Sequence, residues 1–141
     1  MTQEDKELLL IDISARLPYG VMVYDYDKEE TREMGLGTLH DIMFNELECK
    51  PYLRPMSSMT EDERFEFNNL WNDGFSKAMD EMIINDDNDI GVSSLEVTAA
   101  SNALNWLNKY HFDYRGLIPK GLAIAVTKEN NFYKNLNYVE E

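Results

Sequence analysis

Cysteine is almost absent from this chain. Cys49 is the single one in 141 residues, so no disulfide can form within the chain, and a reducing compartment is expected. Histidine is nearly as scarce. His40 and His111 stand in no ligand spacing with each other or with Cys49, so zinc has little support and no metal or cofactor is expected. Leu8-Leu9-Leu10-Ile11, held between Glu7 and Asp12, is too short for a signal peptide or a membrane span, which points to the cytoplasm and away from membranes. Basic residues are few, 13 against 27 acidic, for a net charge of −14. That balance disfavours direct nucleic-acid binding and suits a partner with a basic surface.

What is present is a core. Two Trp, eight Tyr and six Phe supply enough bulk for one globular domain spanning residues 1–141. Residues 2–17 read as a helix capped by Thr2, with Glu4 and Asp5 in its first turn and Leu9, Ile13 and Leu17 on one face, joined by Leu10. Leu17-Pro18-Tyr19-Gly20 stops it. The alternation in Val21–Asp27 predicts a strand, and Asp27-Lys28-Glu29-Glu30 a polar turn. Residues 33–44 read as a returning strand, loosened by Gly35 and Gly37, with a helical turn over 39–44 as the alternative. Pro51 and Pro55 predict a short edge strand over 48–59 that runs into extended chain.

Thr60 with Glu63 forms a capping-box pattern, opening a helix over about residues 61–84. Its apolar stripe includes Phe67, Leu70, Trp71, Phe75 and Met79, and Gly74 within it costs about 1 kcal/mol relative to Ala. Residues 85–91 read as loop. Ser93 or Ser94 caps a third helix reaching about Tyr110, with Leu95, Ala99, Ala103 and Leu107 on its buried face. A turn around Gly116, a short strand or helical turn over 121–126 and a loosely packed, polar final stretch complete the reading. The fold class expected is α+β, with three main helices on a small antiparallel sheet.

The acidic excess is uneven. Residues 61–90 hold ten acidic and two basic residues, a net of −8, whereas residues 91–141 balance at five and five. Asp62, Glu66, Asp73, Asp80, Asp86, Asp87 and Asp89 therefore form the candidate binding surface. Such a surface can imitate duplex phosphates and occupy a basic nucleic-acid channel. A solvated helix face followed by an acidic loop gives the same pattern with no partner at all.

Other candidate chemistry is thinner. Asp86-Asp87-Asn88-Asp89-Ile90-Gly91 opens like a calcium loop but places Ile90 and Val97 where oxygen ligands are needed. Cys49 precedes Lys50, which would lower its pKa if the side chains met; a buried structural thiol is the simpler account. Ser57 and Ser58 stand just before a helix start, where anions can bind, although helix entry alone explains them. His111 suits a helix-capping role. Asp113-Tyr114-Arg115 is either a recognition surface or a local turn. If the protein is instead an enzyme or a small-ligand binder, His40, Asp41, Asp113 and Arg115 are the first places to look. A third possibility, a structural or oligomeric accessory protein, requires an exposed apolar patch.

Three segments carry a resemblance: Ala15-Arg16-Leu17-Pro18-Tyr19-Gly20, then the run from Cys49-Lys50-Pro51-Tyr52-Leu53-Arg54 through Pro55-Met56-Ser57-Ser58-Met59-Thr60, then Trp106 through Ile118 with Tyr110-His111-Phe112-Asp113-Tyr114-Arg115-Gly116 at its centre. Together they resemble a family of small uncharacterised proteins from phages, prophages and mobile elements of gut Bacteroides-type bacteria. The resemblance implies a phage or mobile-element accessory protein acting in a bacterial cytoplasm. Its expected partner is a basic host or phage protein, and it brings no catalytic residue or cofactor. By association it favours the decoy reading.

Overall fold

The computed structural model describes residues 2–70 and 91–133. The backbone falls into two compact units: residues up to Ser58 together with those from Asn108 onward, and Met59–Leu107. The class is α+β, as the sequence predicts, with four α-helices and a four-stranded sheet among the described residues. No helix among the described residues is long and apolar enough to cross a membrane.

In the first unit, helix α1 spans Gln3–Arg16. Thr2 caps it as expected: the Asp5 amide donates to Thr2 Oγ1 at 3.0 Å, and the Thr2 amide donates to the Asp5 carboxylate at 3.3 Å. A 3-10 turn over Leu17–Tyr19 follows, ending at Gly20 with φ of 69°. That left-handed φ favours glycine, and the missing side chain also leaves room for Glu33. A Cβ would lie 2.6 Å from Glu33 Oε1.

Strand β1 (Met22–Asp25) pairs antiparallel with β2 (Glu30–Glu33) and with β3 (Cys49–Leu53), and β4 (Ile124–Ala125) joins β3 in parallel. The order is β2-β1-β3-β4, so the sheet is mixed rather than wholly antiparallel. The Asp25 carboxylate fixes the β1–β2 turn by accepting from the amides of Asp27 and Lys28 at 2.9 and 3.1 Å. The turn is therefore tight, and the returning strand ends at Glu33, where the sequence reading begins it. Residues 36–44 form helix α2 (Leu36–Phe44), which buries Thr38 and Ile42 one turn apart. The helical alternative for that stretch holds, and over a longer range than 39–44.

β3 is an interior strand, not the predicted edge. Proline fits because of register. The Tyr26 amide donates to Glu48 O, and Tyr24 faces Lys50, so the even-numbered residues of β3 turn their backbone groups toward β1. Pro51 has the opposite parity. Its missing N–H faces the other side, where β4 pairs only with Tyr52 and Leu53. Leu9 and Ile13 of α1, Val21 and Val23 at β1, Ile42 of α2, Leu53 of β3, and Leu117 and Leu122 pack into one buried core cluster. The turn after Phe112 forms as predicted: Asp113 accepts from the amides of Leu117 and Ile118 at 2.8 and 2.9 Å, and Gly116 has φ of 74°.

In the second unit, residues 61–70 form helix α3. The capping box closes as predicted, with Glu63 N to Thr60 Oγ1 at 3.2 Å and Thr60 N to Glu63 Oε1 at 3.0 Å. Helix α4, Gly91–Lys109, starts before the predicted serine caps. Phe67 meets Trp106 with ring centroids 5.4 Å apart, and Ala103, Trp106 and Leu107 are buried.

Candidate functional site

Of the predicted acidic surface, Asp62 and Glu66 are exposed on α3, and Glu66 accepts from Trp106 Nε1 at 3.2 Å. Asp73, Asp80, Asp86, Asp87 and Asp89 lie outside the described residues, as does most of the calcium-loop pattern. The residues proposed for an enzyme site are not brought together. His40 Nδ1 and Asp41 Oδ1 stand 3.8 Å apart on the exposed side of α2. Asp113 is spent on two backbone amides, and Arg115 donates to Asp12. Ser57 and Ser58 belong to a 3-10 turn over Met56–Ser58, where Ser58 Oγ and N both donate to Pro55 O. Cys49 is buried, and burial together with the nearby Asp25 carboxylate pushes its thiol up to about 12. Lys50 does not activate it; its ammonium lies 5.5 Å from the Tyr26 ring centroid.

The built features lie elsewhere in the first unit. Asp12 and Arg16, one turn apart on α1, form a fully buried bidentate pair at 2.8 and 3.0 Å. Arg115 Nη1 adds a third bond to Asp12 at 3.0 Å, and Arg16 Nη2 also donates to Phe112 O at 2.6 Å. The guanidinium groups of Arg16 and Arg115 lie 5.2 and 4.7 Å from the Tyr114 ring centroid. Two guanidinium groups against one carboxylate leave this cluster net positive.

That charge acts on His111. Burial first, then Arg16 and Arg54, push its imidazole down to about 3, so the ring is neutral at neutral pH. Its predicted capping role is taken by backbone. His111 adopts φ of 66°, and its amide donates to Asn108 O at 3.2 Å. The imidazole instead stacks on Tyr133 with centroids 3.6 Å apart, and its buried Nδ1 has no hydrogen-bond partner among the described residues.

Tyr133 closes a seam between strands. Its hydroxyl accepts from Met22 N at 3.0 Å and donates to Tyr52 O at 2.6 Å. By the register of β1 and β3, Met22 and Tyr52 are the next hydrogen-bonding pair in the ladder, so the hydroxyl stands in for the direct bond. Burial raises the Tyr133 pKa well above the ordinary phenol value and keeps that proton in place. The stretch read from sequence as loosely packed is thus anchored at Tyr133, while residues 134–141 lie outside the described residues.

Against these groups opens a cleft of about 740 Å³. The rings of Tyr19, Tyr110, Phe132 and Tyr133 line it with His111, and Glu33 and Lys109 bring one charge of each sign. The sequence reading missed this set. Its one legible signal is the adjacent aromatic pair Phe132-Tyr133 in an otherwise polar stretch. Comparison with family models, with curated proteins and with solved structures gives no match.

Proposed function

We propose that this chain is an interaction protein that meets a basic protein partner through an acidic surface carried by α3 and the residues that follow it in sequence. The charge carries this reading. The chain has a net −14, and residues 61–90 hold ten acidic residues against two basic ones. Asp62 and Glu66 are exposed and spaced four apart on α3, so their carboxylates stand on one helix face with Cβ atoms about 5–6 Å apart. Regularly spaced negative charge is what a groove built for a phosphate backbone recognises. The resemblance to phage and mobile-element proteins makes a host nucleic-acid-binding protein the first partner to try.

The test is competition. The full chain is titrated into a basic bacterial nucleoid protein carrying a fluorescent DNA duplex. Release of the duplex is expected, weakening as salt screens the contact. The variant D62N/E66Q/D73N/D80N should release it poorly. Duplex that stays bound, or equal release by the neutralised variant, overturns the reading.

A further inference from the structure

We propose that the aromatic cleft of the first unit is a binding site for an ammonium group, seated against Tyr110 with Glu33 as its counter-ion. The inference does not depend on the acidic-surface reading, because no residue of α3 takes part.

The chain already places a cation at this site. Lys109 and Tyr110 both line the cleft, and the Lys109 ammonium lies 5.5 Å from the Tyr110 ring centroid, within cation–π range. Lys109 is exposed and sits in the last turn of α4, so its ammonium can swing into water and yield the ring.

The remaining lining suits a cation over an anion. Among the described residues of the lining Glu33 is the one carboxylate, and it is itself exposed. Gly20 lets it approach closely, since its Oε1 lies 2.6 Å from where a Cβ would stand. His111 is buried in the wall, and the Arg16 and Arg54 charges together with burial hold its imidazole neutral, so it adds no positive charge to the site. Its Nδ1, buried and without a hydrogen-bond partner among the described residues, is a polar group of that wall left over from packing. Phe132 and Tyr133 add aromatic surface, the kind that recognises alkylated ammonium groups. At long range, the net charge of −14 draws cations to the chain.

The shared chemistry is an alkylammonium, from a free small molecule or from a lysine side chain. Choline and Nα-acetyl-lysine amide are therefore titrated separately into the full chain, followed by NMR of the tyrosine ring resonances. 3,3-Dimethylbutanol serves as the neutral isostere of choline. At least one of the two cations should shift the Tyr110 ring in the millimolar range, and the neutral isostere should not. A preference for choline assigns a free quaternary ammonium, and a preference for the lysine amide assigns a protein side chain. Glu33→Gln should weaken binding about fivefold, and Tyr110→Leu at least as much. Lys109→Met removes the resident competitor and should tighten binding about twofold, a gain that a purely structural role for Lys109 does not give. Failure of both cations to bind wild type and Lys109→Met overturns the proposal. So does equal binding of the neutral isostere, or binding indifferent to Glu33→Gln.

Discussion

Asp12 and Asp25 have side chains with no solvent exposure, while Asp62 and Glu66 stand in water on α3. All four are carboxylates in the same strongly acidic chain, yet their surroundings divide them. Asp12 meets two arginines, and Asp25 meets Arg32 at 2.9 Å and two backbone amides. Inside, each carboxylate is held by its own set of donors, and Asp25 also fixes the backbone of the turn that follows it. Outside, single charges count for little and act only as a group. Net charge alone therefore says nothing about which carboxylates are available to a partner.

The sharpest way to break this contrast is at Arg16. Arg16→Met leaves the buried Asp12 carboxylate with Arg115 alone and should cost about 3 kcal/mol of stability, read from the denaturant midpoint. The double variant Asp12→Leu/Arg16→Met should recover most of that loss, because Arg115 is partly exposed and tolerates losing its partner. A double variant as unstable as the single one would mean that packing, not charge matching, governs the cluster.

A comparable effect is expected from acid. The folded pKa of His111, about 3, lies below its ordinary value of 6.5. Between those values the unfolded chain binds the extra proton, so this contribution is fully present above pH 6.5 and is lost as pH falls toward 3. At pH 4 the loss should reach about 3 kcal/mol. Other carboxylates titrate in the same range, so the measurement is the difference between wild type and His111→Asn, whose side chain tolerates the left-handed backbone at this position. Identical pH slopes for the two proteins would show that the imidazole is not held neutral by its surroundings.

The smallest effect belongs to the exposed side of the comparison. Glu66→Gln keeps an acceptor for Trp106 Nε1 and removes only a solvated charge, so thermal stability should change by no more than about 0.5 kcal/mol. A larger loss would place Glu66 among the structural carboxylates and take it out of the candidate binding surface.

Local chemistry was legible in the sequence. The Thr2 cap, the Thr60–Glu63 box, the alternation of β1 and the turn at Gly20 each depend on residues within a few positions of one another. The misses follow from residues far apart. Asp12 and Arg16 flank the apolar stripe of α1, where an exposed ion pair is the ordinary expectation. Burial comes from Phe112 and Arg115, about a hundred positions away. Pro51 argues for an edge because it lacks a donor, but strand parity turns the missing N–H away from β1. The cleft was illegible for the same reason. Its lining joins the chain after α1, the end of β2, the end of α4 and the segment at Phe132-Tyr133.

Tyr133 has a bearing on the order in which the chain can finish folding. Met22 and Tyr52 precede the hydroxyl that joins them by 111 and 81 residues. Until it is in place, the Met22 amide and the Tyr52 carbonyl at the mouth of the β1–β3 seam lack the hydroxyl that bridges them. β4, too, must wait until Ile124 and Ala125 have been made. Completing the β1–β3 seam therefore requires closing loops of 111 and 81 residues, an entropic cost that short-range pairings such as β1–β2 do not carry.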